Sequence, residues 1–402
     1  MTAPMLPIAP FAIARLPRIV FGAGSLARLP DEVAALGRRV LLVTGGGSFR
    51  ASAAWQPLLD GLAERGVAVE MAAVAGEPSP DDVDAAVAAH RRNGIEVVAG
   101  IGGGSVLDFA KAVAGLLVPG NSVLDHLEGV GRGLPYAGPA LPFVAVPTTA
   151  GTGSEATKNA VLSHRGPDGY KKSFRDDALV ARVALVDPDL LATCPPGLIA
   201  ANGMDAFTQL LESAVSTRSN PLTEALAWSG LEAFAAGFFP TWRGAGPEAA
   251  AGRGQLAYAA LLSGICLAQT GLGSVHGLAA PLGALFPVPH GVACGTLVGE
   301  ATAVNIRALE ERLPESPALA RYARAGRLLT GLRGLDDGAA RHALVDLLHG
   351  WQERLALPRL GAFGVREADV GRIVADSRGS SMTTNPVVLT DAEIARVVRR
   401  RL

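Results

Sequence analysis

Short runs of Val, Leu and Ile recur at helix-length intervals through the first part of the chain, and few folds accept that arrangement. Arg39-Val-Leu-Leu-Val-Thr44 reads as a buried strand, and Ser52 to Arg65 follows as an amphipathic helix. The cycle repeats with Val67 to Val74 as strand, Asp81 to Arg92 as helix, and Ile95 to Ile101 as a strand running into glycines. Leu141 to Val146 supplies a further strand ending at Pro147. Continuous apolar strands separated by helices must be parallel and covered on both faces, because each crossover lays a helix against the sheet. The expected result is a Rossmann-like nucleotide-binding half.

Beyond Val186-Asp187-Pro188 the strand signal fades, and from Pro195 onward the chain is rich in Ala and Leu at helical spacing. The predicted fold class is therefore α/β plus all-α: a Rossmann-like parallel-sheet domain over residues 1–190 and a helical domain over 191–402. At 402 residues a single core would be unusually large, so two domains are expected on size as well. With 49% hydrophobic and 18% charged residues the chain is no disordered protein, and a formal net charge of -1 gives nucleic acid little to attract it.

Cys194, Cys266 and Cys294 are odd in number and form no CxxC pair, which argues against a disulfide framework or a structural zinc ribbon and fits a reducing compartment. The N-terminus lacks a basic region followed by an apolar run, so no secretory signal is read there and a cytoplasmic enzyme is expected. Gly254 to Gly299 contains no Asp, Glu, Lys or Arg and might suggest a membrane span. Gly271, Gly273, Pro281, Pro287 and Pro289 interrupt it, and it carries Gln269, His276 and His290, so a buried helix pair around a polar site is the better reading.

Three loops carry the signs of nucleotide binding. Gly102-Gly103-Gly104-Ser105 joins a buried strand to a helix expected near Val106, where small residues would let the backbone approach a pyrophosphate at a helix N-terminus. Ser105 and Asp108 also fit an N-cap with an acid three positions on. Thr148, Thr149, Thr152 and Ser154 lie in a second loop, again past the end of a strand, where open parallel sheets place ligands; a solvated loop is the alternative. A third loop, Gly45, Gly46, Gly47 and Ser48, then Arg50, holds no carboxylate to accept ribose hydroxyls and repel a 2'-phosphate, which leans toward NADP over NAD.

Asp205 and Gln209 stand four apart on one predicted helical face, while His276 and His290 fall in the charge-free stretch. Either histidine alone suits a hydrogen-bonded core position. With Asp205 they make a carboxylate and two imidazoles, a set able to hold a divalent ion, Fe2+ or Zn2+, and leave it open to an alcohol oxygen. His164 reads as an exposed loop residue, Lys172 as a surface charge with a cleft-lining group as the alternative, and Asn385-Pro386 as a turn before the terminal helix.

In order along the chain, Gly102-Gly-Gly-Ser-Val-Leu-Asp-Phe-Ala-Lys111, Pro147-Thr-Thr-Ala-Gly-Thr-Gly-Ser-Glu155, Asp187-Pro-Asp-Leu190, Gly203-Met-Asp-Ala206, His276 and His290-Gly resemble the signatures of iron-containing (group III) alcohol dehydrogenases. The resemblance implies a dehydroquinate-synthase-like fold with the cofactor in the N-terminal domain, the metal in the helical domain, and a homodimer. It also implies that Gly103, Gly104 and Ser105 face the pyrophosphate and that Thr148, Thr149 and Thr152 line the cofactor. Two positions depart from the pattern. Gln209 stands where similar enzymes carry a third imidazole ligand, and would be a weak fourth ligand or a supporting group; Ala280 stands where they carry a further histidine assigned to proton transfer or substrate contact.

The expected activity is metal-assisted hydride transfer between a nicotinamide and a primary alcohol or aldehyde. Three rivals share the scaffold: a metal-independent reductase like the maleylacetate reductases, suggested by Gln209; a lyase resembling dehydroquinate synthase; and a nucleotide-binding protein without catalysis.

Overall fold

The computed structural model describes residues 8–402. Its first half is built on six parallel strands: β1 (Arg18–Phe21), β2 (Arg39–Thr44), β3 (Ala68–Ala73), β4 (Val97–Gly102), β5 (Phe143–Pro147) and, after a hairpin, β8 (Val183–Val186). The hairpin is an antiparallel pair, β6 (Asn159–His164) and β7 (Tyr170–Arg175). The sheet order is β1-β8-β5-β4-β2-β3. The central strands β4 and β5 are buried throughout, as their unbroken apolar runs require.

The chain passes from β2 outward to β3 and then returns to the other side of β2 to form β4, so the direction of winding reverses between β2 and β4. Loops leaving the carboxyl ends of strands at such a reversal diverge and leave a crevice between them. Helices α1 (Leu29–Ala34), α2 (Trp55–Glu64), α3 (Pro80–His90) and α4 (Gly104–Leu116) cover the sheet. Val40, Leu42 and Leu58 pack in one apolar cluster and Leu41, Val83, Leu107 and Phe109 in another, so both faces are closed.

Nine helices follow: α5 (Pro196–Val215), α6 (Pro221–Arg243), α7 (Gly246–Thr270), α8 (Ser274–Leu285), α9 (His290–Arg312), α10 (Pro317–Thr330), α11 (Asp337–Arg354), α12 (Val370–Asp376) and α13 (Asp391–Arg399). Their largest cluster centres on Phe207 of α5, whose ring meets Phe234 of α6 at 5.1 Å and Trp351 of α11 at 5.3 Å. Among the described residues no single helix is long and apolar enough to cross a membrane; α7 and α8 pass that test only together, and they meet at a 99° bend. The bend follows from Gly271, whose φ of +65° suits glycine, and whose Cβ would lie 2.7 Å from Thr384 Oγ1.

Candidate metal centre and nucleotide loops

Three loops open at the carboxyl ends of β2, β4 and β5, which are neighbours in the sheet. Thr148 N donates to the Gly102 carbonyl at 2.9 Å, binding the second loop to the first. A side chain on Gly104 would put its Cβ 2.6 Å from Thr152 Oγ1, and one on Gly102 would put it 2.4 Å from Val106. Gly104 is therefore demanded by close approach between the loops, and Gly102 by the tight turn into α4. Around Gly46 and Gly47 there is open space, and Ser48 is exposed.

The expected cap on α4 is not the one formed. Gly103 is the N-cap and no side chain bonds there, so Ser105 lies inside the first turn, and the N–H groups of Gly104 and Ser105 have no partner within the helix. Asp108 and Ser154 also differ from expectation. The Ser154 hydroxyl donates to Asp108, and the buried Lys111 ammonium reaches Ser154 O at 2.9 Å, Ser154 Oγ at 3.1 Å, Thr157 Oγ1 at 3.1 Å and Asn159 O at 2.6 Å. Asp108 Oδ1 is 3.7 Å from that ammonium. Both side chains are consumed in tying α4 to the loop after β5, because a buried cation must be surrounded by acceptors.

Asp205 sits on α5 with 1% exposure, His276 within the first turn of α8, and His290 at the first position of α9 after Pro289. The three converge: His276 Nε2 lies 3.2 Å and His290 Nε2 3.6 Å from Asp205 Oδ1. Cys294, fully buried one turn beyond His290, brings its sulfur to 3.6 Å from His276 Nε2 and 3.8 Å from His290 Nε2. The four donor atoms all lie within 4.8 Å of one another. One carboxylate, two imidazoles and a thiol facing one point match the donor chemistry of a transition-metal site.

Gln209 does not join them. Its carbonyl accepts from the Ser263 hydroxyl at 3.1 Å, and its amide nitrogen faces Asp205 Oδ1 at 3.5 Å, so it supports Asp205 from behind rather than presenting an oxygen to the shared point. Ser263 Oγ is also 3.3 Å from the Gly151 carbonyl, which connects the loop after β5 to Asp205 through two side chains.

Glu212, two helical turns beyond Asp205, braces the site. One carboxylate oxygen meets His276 Nδ1 at 2.7 Å and the other accepts from Val275 N at 2.7 Å, so a single side chain caps the start of α8 and fixes which imidazole nitrogen faces Asp205. Burial would push the Asp205 carboxyl up, but His290 and His276 outweigh it and hold it at about 2. Burial likewise opposes a charge on His276, yet Cys294, Asp205 and Glu212 raise it well above the usual imidazole range. His290 is shifted down, mainly by burial, and its Nδ1 has no hydrogen-bond partner.

A family model described as iron-containing alcohol dehydrogenase matches residues 17–188, and one for the C-terminal part of the Fe-containing alcohol dehydrogenase family matches 199–402. The chain belongs to this family. It is 31% identical to long-chain-alcohol dehydrogenase 1 of Geobacillus thermodenitrificans, an alignment covering 94% of this chain and 95% of that protein. The crystal structure of a 1,3-propanediol oxidoreductase superimposes with a TM-score of 0.86 at 28% identity, covering 98% of this chain and all of that one. Sulfoacetaldehyde reductase from Bifidobacterium kashiwanohense, solved in complex with NAD+, gives 0.82 at 27% identity, covering 98% and 99%. Like other members of the iron-containing alcohol dehydrogenase family, this chain is an oxidoreductase with a parallel-sheet first half and a helical second half. Ala280 lies in α8, one turn past His276, and offers no titratable group there. His164 ends β6 exposed, stacked on Tyr170; Lys172 is half-buried in β7.

Proposed function

We propose that the chain interconverts a primary alcohol and its aldehyde, with residues 1–190 holding the nicotinamide cofactor and 191–402 holding a divalent ion and the substrate. The observation that carries this is the convergence of Asp205, His276 and His290 on one point, joined through Gln209 and Ser263 to the loop at the end of β5. When bound, the cofactor supplies hydride exchange and the ion, Fe2+ or Zn2+, polarises the substrate oxygen.

Asp205, ionised at neutral pH, and the two imidazoles hold the ion, and Glu212 keeps His276 in the tautomer that presents Nε2. Gly45, Gly46, Ser48, Gly102, Gly103, Gly104, Ser105, Thr148, Thr149 and Thr152 line the cofactor path, with the free N–H groups of α4 toward the pyrophosphate. Asp108 and Ser154 act from beneath, through Lys111. The loop after β2 holds Arg50 and no carboxylate, which favours NADP over NAD. A cytoplasmic homodimer fits the exposed apolar side chains Phe11, Ile13, Leu16, Ile19 and Phe21, which lead into and run along the edge strand β1.

The test is reduced-nicotinamide formation over a panel of primary alcohols, and its consumption over the matching aldehydes, with NAD and NADP compared, before and after chelation and after return of iron or zinc. Turnover that survives complete chelation would favour the metal-independent reductase and overturn the role given to Asp205.

A further inference from the structure

The position that most weakens the donor set is Gln209, and a different side chain stands where a donor is needed. Cys294 is on α9, four residues and one turn after His290, so both point from the same face of one helix. The two residues differ in what they offer. Gln209 spends its carbonyl on Ser263, whereas the polar partners of the Cys294 sulfur among the described residues are His276 Nε2, His290 Nε2 and the Asp205 carboxylate.

The distances discriminate further. Bonds of about 2.0–2.1 Å from nitrogen or oxygen to a tetrahedral zinc place those donors roughly 3.3–3.4 Å apart, and a sulfur bond of about 2.3 Å puts sulfur roughly 3.6 Å from nitrogen. The separations here are 3.2 and 3.6 Å between Asp205 and the imidazoles, and 3.6 and 3.8 Å between the sulfur and the imidazoles. A thiol that merely donated a hydrogen bond to Asp205 would need no such spacing to both histidines.

We infer that the Cys294 thiolate is the fourth protein ligand of the metal, taking the place that Gln209 leaves, and that this sulfur makes zinc the resident ion rather than iron. This rests on the metal reading given above and adds to it a donor that the family signatures do not contain. On binding, the sulfur–metal bond forms as the thiol proton leaves to solvent; no electron is transferred. A thiolate beside two imidazoles and one carboxylate is a borderline-soft set, which suits zinc. Asp205, His276, His290 and Cys294 would hold the ion, which would polarise the substrate oxygen when bound.

Cobalt(II) tests this in the full-length protein, because it adopts the zinc geometry and reports its ligands by colour. After chelation and cobalt loading, wild-type protein is expected to show visible ligand-field bands together with an intense near-ultraviolet sulfur-to-cobalt band. Cys294→Ser should keep the visible bands and lose the ultraviolet one, while Gln209→Ala should keep both. Loss of a partner behind a ligand already costs about 10–100-fold in metal affinity, so Cys294→Ser should weaken zinc binding at least about tenfold. Visible bands without the sulfur band in wild-type protein, or a sulfur band that persists in Cys294→Ser, would overturn the assignment and leave the metal reading standing. Absence of visible bands altogether would overturn both. Element analysis of purified protein should find zinc in excess of iron; iron in excess would refute the ion named.

Discussion

Two clusters of buried ionisable groups are tied to the loop after β5, one directly and one through Gln209 and Ser263, and they are built on opposite principles. Around Lys111 the ammonium meets four oxygens, Asp108 takes the Ser154 hydroxyl, and nothing is left over. Around Asp205 a carboxylate oxygen, two imidazole nitrogens and a sulfur crowd one point, and His290 Nδ1 has no partner. Each has a fully buried charged group at its heart, Lys111 in one and Asp205 in the other, so depth and charge alone do not identify a functional centre. What separates them is whether the hydrogen-bonding capacity is spent.

The sharpest way to break this contrast is to remove one member from each cluster. Asp205→Ala should abolish alcohol-dependent cofactor reduction, a loss of at least about 5 kcal/mol of transition-state stabilisation or more than three decades in kcat/KM, with folding retained; near-normal turnover with a normal circular dichroism spectrum would end the metal-centre reading. Lys111→Met should act the other way, on stability: stripping the cation from a buried pair costs about 3–5 kcal/mol, read as a drop in the denaturation midpoint.

A smaller effect separates the clusters by pH. Burial is the main cause that lifts the Glu155 carboxyl, next to Ser154, to about 7 from its ordinary 4.5. A folded-state value above the unfolded one means that the folded chain holds more protons between those limits, so stability falls as pH rises through that window and is level above it. The fall is at most about 3 kcal/mol. Glu155→Gln should flatten it, as chemical denaturation on either side of the window would show; an unchanged slope would place its origin elsewhere. Last, Glu212→Gln should weaken metal binding about 10–100-fold without removing it, measured by competition with a chromogenic chelator. A loss as complete as that of Asp205→Ala would make Glu212 a ligand itself.

Much of the scaffold was legible because its signals are local. β2 begins and ends where its apolar run does, and α3 and β4 lie within about two residues of expectation. β1, only four residues long, and the β6–β7 hairpin, with its Tyr170-Lys-Lys-Ser-Phe-Arg175 strand, carry too little apolar pattern to be read alone; tertiary pairing makes them.

At the site, Asp205, His276 and His290 stood out as polar residues in apolar surroundings. Cys294 does not, because its distance in sequence from Cys194 and Cys266 forms no motif; the informative spacing is the single helical turn from His290. Glu212 was equally readable, seven residues and two turns from Asp205 on one face. The inward turn of Asp108 and Ser154 was not readable, since it depends on where Lys111 of α4 meets a loop some forty residues later.

The elbow between α7 and α8 ties the centre to the far end of the chain. Thr384 fills the space beside Gly271 and donates to the Leu272 carbonyl at 2.6 Å, and Asn385 accepts from Ser274 N at 3.0 Å, two residues before His276. Every donor has been added to the chain once Cys294 is made, yet the piece that clamps the elbow is synthesised some ninety residues later. A chain cut short of Thr384 keeps all four converging side chains and lacks the latch that aims one of them, so the centre is completed only well after its last donor has been made.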